Sequence, residues 1–260
     1  MIGLLTLAAA SALPCPEVTG VERLWAKPET QWIMVGEMHG TAEMPALFGD
    51  MVCQAAAHSG RPITVALEQS EGMQPAIDAF LASDGGPAAR AAFLKAPMWG
   101  TNFQDGRSSQ AMLALYDRLR LMKAAGQIRA VRGFVPELHA RTSDGPYNAL
   151  MAERLKAMAP QPNELVMAYM GSVHAAKSSF GQGAMAFLPA GADLPPERTI
   201  SIYLYGNGGT AWNCMEDGCK PHPLQARDAR RGFAPATDLP WRYDWVFELG
   251  GKTMASPPAG

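Results

Sequence analysis

WIMVGEMHGTAE, residues 32–43, joins a short apolar run to the start of a helical pattern. The run from Trp32 to Val35 ends at Gly36 and predicts a buried strand. Apolar side chains then recur at helical spacing from Met44 to Ala55, which predicts a helix, and Thr41 is the expected N-cap of that helix.

A second apolar run follows this helix. The helix is expected to end at Gly60, and Ile63 to Leu67 predict another buried strand that ends at Glu68. A strand, a helix and a strand in about this length form a βαβ unit, in which the two strands are parallel.

The rest of the chain continues the alternation. Apolar runs and helical periodicity predict strands at residues 128–135, 165–170, 184–188 and 200–205, an edge strand at 245–247, and helices near 109–125 and 147–159. Residues 73–110 show no strand pattern and predict a helical insertion over the C-terminal edge of the strands. We therefore predict an α/β fold with a central, largely parallel or mixed sheet and helices on both faces.

Composition supports one globular domain. The chain has 260 residues, of which 48% are hydrophobic and 18% charged, and 22 basic side chains oppose 24 acidic ones. This balance excludes a disordered chain and a nucleic-acid-binding protein, and it leaves the oligomeric state open. We predict a single α/β domain over residues 13–250 and a disordered tail over residues 251–260, which are rich in proline, glycine and small side chains.

The first twelve residues have the pattern of a secretory signal peptide. An unbroken apolar or small run extends from Ile2 to Ala10, and Ala10-Ser11-Ala12 matches an A-x-A cleavage site. The run is too short to span a bilayer as a helix, which takes about 20 apolar residues. Because no Lys or Arg precedes it, a buried N-terminal segment is the alternative. We expect a periplasmic or secreted protein whose mature chain has no transmembrane segment.

The four cysteines are an even number, which favours disulfides in an exported protein. Cys214 and Cys219 flank an Asp-Gly turn pair, so we expect them to face each other across a hairpin and to form a disulfide. Cys15 and Cys53 remain as the second candidate pair. A zinc site is the alternative, but Cys214, Cys219 and His222 supply three ligands where a structural zinc ion takes four.

Several common catalytic signatures are absent from the sequence. The chain has no G-x-S-x-G elbow, no P-loop, no H-E-x-x-H motif and no dinucleotide fingerprint after a strand. Serine hydrolases with a nucleophile elbow, P-loop NTPases, zincins and Rossmann dehydrogenases are therefore disfavoured.

Candidate catalytic residues cluster after the first two strands. Glu37, His39 and Glu43 follow the first strand, where a parallel sheet opens its ligand crevice. Carboxylates and an imidazole between glycines can act as a general base with its orienting partner or as metal ligands. Glu43 also suits the first helical turn, where the helix dipole stabilises its charge. Glu68 ends the next strand and is expected near Glu37 and His39, unless it is a plain strand-terminal carboxylate.

A second G-x-x-H pattern, Gly171 to His174, follows a later strand and repeats the pattern from Gly36 to His39. Two histidines and a carboxylate are also the ligand set of a catalytic metal with an open position, so His39 and His174 are candidate metal ligands. Arg107, before a helix, is a candidate for binding an anionic substrate; the alternative is an ion pair with a surface acid.

These motifs resemble the haem-binding uptake and Tiki superfamily, which joins ChaN-like lipoproteins, erythromycin esterases and the Tiki and TraB proteins. The resemblance spans roughly Trp32 to Tyr205. It rests on three segments: Gly36-Glu37-Met38-His39-Gly40 with Glu43 and Pro45, then Val65-Ala66-Leu67-Glu68, then Gly171-Ser172-Val173-His174-Ala175.

The resemblance implies an α/β fold with a crevice lined by these motifs. In erythromycin esterase-like members, a histidine like His39 acts as the general base, helped by acids like Glu37 and Glu68 and by a histidine like His174. In Tiki-like members the two histidines are tied to a divalent metal and peptide hydrolysis, and ChaN-like members bind haem through a tyrosine that no motif assigns here. Many members carry an Arg-Asp pair where this chain has the neutral Tyr147-Asn148.

Our leading hypothesis is an exported hydrolase acting on an ester or amide bond of a small-molecule or peptide substrate. In it, His39 deprotonates a water, Glu37 orients the His39 imidazole, and Glu68 and His174 complete the site without a metal ion. A non-enzymatic haem- or metal-binding protein and a scaffold with a degenerate site are the alternatives. The hypothesis predicts that His39, Glu68 and His174 converge at one cavity.

Overall fold

The computed structural model describes residues 14–100, 104–137, 143–159, 161–183, 186–227, 231–237 and 242–260. The strands are β1 Trp32–Glu37, β2 Ile63–Ser70, β3 Ala130–Val135, β4 Leu165–Gly171, β5 Thr199–Tyr205, β6 Gly209–Met215, β7 Gly218–Leu224, β8 Gly232–Pro235 and β9 Trp245–Glu248. The helices are α1 Glu43–His58, α2 Gln74–Leu81, α3 Pro87–Phe93, α4 Gln110–Ala124, α5 Asp144–Ala157 and α6 Ser172–Ala175. The predicted signal peptide, residues 1–12, lies outside the described residues.

A seven-stranded sheet forms the centre of the molecule, in the order β3-β2-β4-β1-β5-β9-β8. All pairs in it are parallel except the antiparallel pair of β8 and β9. The predicted α/β fold with a mixed sheet is therefore confirmed. Because β2, β4 and β1 are adjacent and parallel, their carboxyl ends lie side by side at one edge of the sheet.

The sheet is buried on both faces, which explains why its strands read as unbroken apolar runs. In β1, Ile33 and Val35 pack into a core with α1, α2 and α4, whereas Trp32 and Met34 pack into a second core with α5. Alternate residues of a strand point to opposite faces, so a strand covered on both sides needs apolar side chains at every position.

The region predicted as an insertion is helical where it is described. Residues 71–100 contain α2, α3 and short 3₁₀ turns, and no strand is found among the described residues of the stretch 73–110. Phe93 packs against Phe80, Trp99 and Tyr116, with ring centroids 4.5 to 5.3 Å apart, which ties α3 to α2 and α4. The insertion thus shares the core on the α1 side of the sheet.

A separate two-stranded hairpin, β6 and β7, carries the predicted disulfide between Cys214 and Cys219. The second disulfide joins Cys15 to Cys53, so both expected pairs are formed and the zinc alternative is wrong. His222 of that alternative instead pairs with Asp217, at 2.8 Å. Within the described part of the chain, no helix is long and apolar enough to cross a membrane.

Two strand predictions are wrong. β9 lies inside the sheet, because the four-residue β8 pairs along its outer side, and a strand bounded by Gly232 and Pro235 gives little sequence signal. Proline is tolerated at such an edge. The strand expected at 184–188 is not formed by its described residues, where Phe187 makes only an isolated bridge to Phe180; residues 184 and 185 lie outside the described residues.

The expected disorder of residues 251–260 is also not what the structure shows. This segment lies along the body of the protein, where the Ser256 N–H donates to the Gly40 carbonyl at 2.8 Å and the Ala259 N–H donates to the Ser108 carbonyl at 3.0 Å. Thr253 and Ser256 are buried. Its small residues and prolines suit close packing against other backbone, which the composition alone does not distinguish from disorder.

Candidate functional site

Three adjacent strand ends bring the predicted residues together. Glu37 is the last residue of β1, Glu68 lies near the end of β2, and His174 lies in α6 directly after β4. His39 Nε2 is 3.6 Å from Glu68 Oε2, and His174 Nε2 is 3.8 Å from Glu68 Oε1. His39, Glu68 and His174 therefore lie together, with the Glu68 carboxylate between the two imidazoles, whereas a cavity shared by all three stays a prediction.

Glu37 holds the His39 ring. The buried Glu37 carboxylate and His39 Nδ1 form a short hydrogen bond, in which the ring nitrogen is the donor because an ionised carboxylate can only accept. This leaves His39 Nε2 facing Glu68, and the His39 side chain keeps 21% of its surface exposed. The pairing fixes both the orientation and the tautomer of His39, as the sequence hypothesis requires of a base with its orienting partner.

The same carboxylates control the protonation of His39. Burial alone would lower the pKa of His39, but Glu37 and Glu68 outweigh burial and raise that pKa to about 10. Burial would likewise favour the neutral acid at Glu68, yet the interaction with His39, which is the largest opposing contribution, and the charge of Arg107 hold the pKa of Glu68 well below its usual range. At neutral pH the cluster therefore contains an imidazolium at His39 and a carboxylate at Glu68.

Glu68 is anchored by two further donors. The backbone N–H of Gly171 donates to its Oε2 at 2.6 Å, and Arg107 Nη1 donates to its Oε1 at 3.1 Å. Arg107 also pairs with Asp105 through Nη2 at 2.6 Å. The structure thus places Arg107 in an ion-pair network with Asp105 and the buried Glu68, not with a surface acid. A contact between Arg107 and substrate stays a prediction.

Asn148 holds His174 in a defined tautomer. Asn148 Oδ1 accepts a hydrogen bond from the Ala190 N–H at 3.1 Å, and its Nδ2 donates to the Asp144 carbonyl at 2.8 Å, which fixes the orientation of the amide. His174 Nδ1 lies 2.7 Å from the same Oδ1 and must therefore be a donor. Asn148, one of the two neutral residues noted in the sequence analysis, therefore fixes the His174 ring, a role that no local sequence pattern predicts.

Replacing Asn148 with leucine, which is similar in size, should release this hold. We expect the Asn148→Leu protein to lose about 1–3 kcal/mol of unfolding free energy, because the Ala190 N–H and the His174 ring lose a buried acceptor. The His174 tautomer should shift from Nδ1–H towards Nε2–H. Urea unfolding and ¹⁵N NMR of the imidazoles measure both effects, with Asn163→Ala on the surface as the control. An unchanged His174 tautomer would contradict the assignment.

Glu43 is the predicted site residue that the structure does not bring to the cluster. Its two carboxylate oxygens accept hydrogen bonds from the Met254 N–H, both at 3.1 Å. Thr41 does not cap α1 either, since the N-cap is Ala42 and no side chain caps the helix. The sequence spacing that placed Glu43 in the first helical turn is correct, and the turn directs its carboxylate towards residue 254.

A cleft of about 440 Å³ adjoins the cluster through Arg107 and Tyr147. Met73, Met98 and Val135 form apolar parts of its lining, whereas Gln69, Asp105 and Glu137 contribute polar atoms. A second cavity, of about 500 Å³, is lined by Lys27, Thr199 and Trp245 among others, at the amino ends of β5 and β9. Because strands β1 to β5 are parallel, that second cavity lies at the other edge of the sheet.

A resident metal ion, one of the cofactors implied by the resemblance, does not fit this arrangement. Among the described residues, no group of three or more His, Cys, Asp or Glu side chains is placed to hold a metal ion. Both oxygens of Glu68 already accept hydrogen bonds, and the Arg107 guanidinium opposes a second cation beside it.

No protein-family model and no curated protein sequence matches this chain. Solved structures match it in fold. A histidine-to-asparagine variant of the erythromycin esterase EreC, in its open conformation, superimposes with a TM-score of 0.68 at 10% identity, over 92% of this chain and 94% of that one. A succinoglycan biosynthesis protein gives a TM-score of 0.63 at 10% identity, over 88% and 89% of the two chains.

A Bacillus cereus protein superimposes with a TM-score of 0.59 at 12% identity, over 89% of this chain and 91% of that one. At such identities the likeness concerns the arrangement of strands and helices, which covers nearly the whole length of each chain. This chain therefore shares its fold with an erythromycin esterase and with these two other proteins, in agreement with the predicted α/β fold.

Proposed function

We propose that this protein is a hydrolase that cleaves an ester or amide bond with His39 as the general base. The observation that carries the proposal is the His39 imidazole, whose Nδ1 is held by buried Glu37 while its Nε2 faces Glu68. A general base needs a fixed tautomer and access to water, and the His39 side chain keeps 21% of its surface exposed. The fold shared with an erythromycin esterase supports a hydrolase-like framework.

In the proposed reaction, His39 Nε2 accepts a proton from a water as the water oxygen attacks the substrate carbonyl carbon. Glu37 stabilises the imidazolium that forms, as a buried carboxylate does for a catalytic histidine. The tetrahedral intermediate then collapses, the carbon–oxygen or carbon–nitrogen bond breaks, and the leaving group takes the proton back from His39. The products are a carboxylic acid and an alcohol or amine, so the proton count balances.

Glu68, His174 and Arg107 complete the proposed site. Glu68 lies between the two imidazoles and carries a negative charge, which orients a water molecule through a hydrogen bond. Arg107 offsets that charge, and His174, held by Asn148, presents its Nε2 to the same carboxylate. Three charged or ionisable groups within hydrogen-bond or ion-pair distance of one buried carboxylate are costly to fold, and functional sites are where such costs concentrate.

The raised pKa of His39 determines the pH dependence. Only the unprotonated ring accepts a proton from water, and below a pKa of about 10 the unprotonated fraction grows with pH. We expect kcat/KM on p-nitrophenyl butyrate, corrected for spontaneous hydrolysis, to rise about tenfold per pH unit from neutrality towards that pKa.

Glu68→Gln supplies the matched variant for this profile. It removes one of the two negative charges that raise the pKa of His39, so the rising limb should move to lower pH. A rate that is flat between about pH 7 and 9, or that falls with rising pH, would contradict His39 as the base. A p-nitroanilide assayed in parallel distinguishes ester from amide cleavage.

We also propose that the mature protein is exported to the periplasm or secreted and begins after residue 12. Two disulfides within the described residues support an oxidising compartment. Thiol titration of the unfolded, unreduced protein purified from its native host should find no free thiol, and four free thiols would contradict export.

A further inference from the structure

Residues 253–259, here called the strap, cross the loop that carries His39. The Ala42 N–H donates to the Met254 carbonyl at 2.8 Å, and the Ser256 N–H donates to the Gly40 carbonyl at 2.8 Å. The Glu43 carboxylate accepts the Met254 N–H in return. The three residues after His39 are therefore all joined to the strap. Gly40 and Ala42 are joined by hydrogen bonds, and Thr41 forms an isolated bridge with Ala255.

The same segment continues across the loop that carries Arg107. The Gln110 N–H donates to the Pro257 carbonyl at 2.9 Å, and the Ala111 N–H donates to Ser256 Oγ at 2.9 Å. The Ala259 N–H donates to the Ser108 carbonyl at 3.0 Å. The strap thus satisfies N–H groups at the start of α4, directly after the loop that aims Arg107 at Glu68.

The strap is itself anchored on the disulfide-bonded hairpin. The Thr210 N–H donates to the Thr253 carbonyl at 2.9 Å, and the Ala255 N–H donates to Thr210 Oγ1 at 3.0 Å. The hairpin also contacts the His39 loop directly, because the Trp212 N–H donates to the Gly40 carbonyl at 2.8 Å. Hairpin, strap and His39 loop therefore form one hydrogen-bonded unit.

The loop that carries His39 and the loop that carries Arg107 are in direct backbone contact. Gly40 and Gly106 both have positive φ, at 84° and 97°. A Cβ atom on Gly106 would lie 2.2 Å from the Gly40 nitrogen, so the two backbones touch. His39 and Arg107 reach Glu68 from these loops, and a shift of either loop would change the distance of its side chain to Glu68.

We propose that the strap is a positioning element that fixes His39 and Arg107 relative to Glu68, and that Glu43 acts in it as a positioning residue by holding Met254. The inference rests on the proposed function for its effect on rate. Its structural part, the coupling of two loops through one segment, is measurable without any substrate.

Amide hydrogen exchange in the full-length protein tests the coupling. Glu43→Ala removes the acceptor of the Met254 N–H at the His39 loop, whereas Glu43→Gln retains an amide oxygen as acceptor and removes the charge. In Glu43→Ala we expect the amide protons of Ala42, Gln110 and Ala111 to exchange about tenfold faster or more, while those of β1 and β4 stay protected. Glu43→Gln should remain within about threefold of the wild type.

The reverse experiment uses the other loop. Ser256→Ala removes the acceptor of the Ala111 N–H, and exchange at Ala42 should then accelerate as well if the strap acts as a unit. Lys252→Ala, an exposed change next to the strap, is the control and should leave all three amides unchanged. Two site readouts accompany exchange: the low-field ¹H resonance of the His39 Nδ1 proton, and kcat against KM on p-nitrophenyl butyrate.

We expect the His39 resonance to broaden in Glu43→Ala and kcat to fall about tenfold with little change in KM. Faster exchange at Ala42 alone would show that the loops are not coupled and would overturn the proposal. An unchanged His39 resonance would overturn positioning. Equally fast amide exchange in Glu43→Gln and Glu43→Ala would also overturn it, because the effect would then come from the lost charge at the start of α1. If the wild type cleaves no probe, the exchange and resonance results still decide the proposal.

Discussion

His39→Ala is expected to lower kcat/KM for ester hydrolysis by about 10²- to 10⁴-fold, the range that general-base catalysis contributes. The variant removes the Nε2 that accepts the proton of water and leaves the Glu37 carboxylate buried without its partner. Hydrolysis of p-nitrophenyl butyrate at several pH values measures the loss. Because the residual rate of the variant approaches the spontaneous rate, the rate of hydrolysis in buffer without protein is measured and subtracted.

His58→Ala is the matched control for this experiment. His58 lies at the exposed end of α1 and is expected to leave the rate unchanged. Circular dichroism and thermal unfolding must show that the His39→Ala protein is folded before its rate is interpreted. A folded His39→Ala protein with at least a tenth of the wild-type kcat/KM would remove His39 from the reaction.

Glu37→Gln is the second change with a large expected effect. A glutamine amide can place either its oxygen or its NH₂ group against His39 Nδ1. The NH₂ group would require an unprotonated Nδ1 and would move the proton to Nε2, where it blocks the base. The lost charge also lowers the pKa of His39, since Glu37 is one of the two carboxylates that raise it. We expect kcat/KM to fall about 10²- to 10⁴-fold.

Glu43→Gln is the control variant for Glu37→Gln. Both acids lie within six residues of each other in the same segment, but Glu43 contacts Met254 and Glu37 contacts His39. A titration of His39 by NMR should find its pKa lowered in Glu37→Gln and nearly unchanged in Glu43→Gln. Equal effects of the two variants on the rate would contradict the distinct role of Glu37.

The parts of the fold with strong periodicity were predictable from the sequence. Strands buried on both faces read as apolar runs, and the first βαβ unit places Glu37 and Glu68 at one edge without knowledge of any contact. The second G-x-x-H pattern added His174, because its strand is also parallel to β1. This is why the cluster of His39, Glu68 and His174 could be predicted before any distance was known.

Other parts lacked a local signal. The strap forms hydrogen bonds with residues more than 140 positions away, and its small residues and prolines are equally typical of disorder. Asn148 reaches His174 across 26 residues through an amide whose orientation depends on Ala190. The order of β8 and β9 depends on a pairing between short strands. Such features follow from tertiary contacts, which periodicity and spacing do not encode.

The central claim is that His39, oriented by Glu37, hydrolyses its substrate without a metal ion. The most direct measurement is the initial rate of p-nitrophenyl butyrate hydrolysis before and after prolonged dialysis against a chelator, followed by addition of manganese, cobalt or zinc. We expect an unchanged rate at each stage in the wild type and spontaneous hydrolysis alone in His39→Ala. A rate that is lost on chelation and restored by one of these ions would contradict this account and favour a site in which His39 and His174 bind a metal.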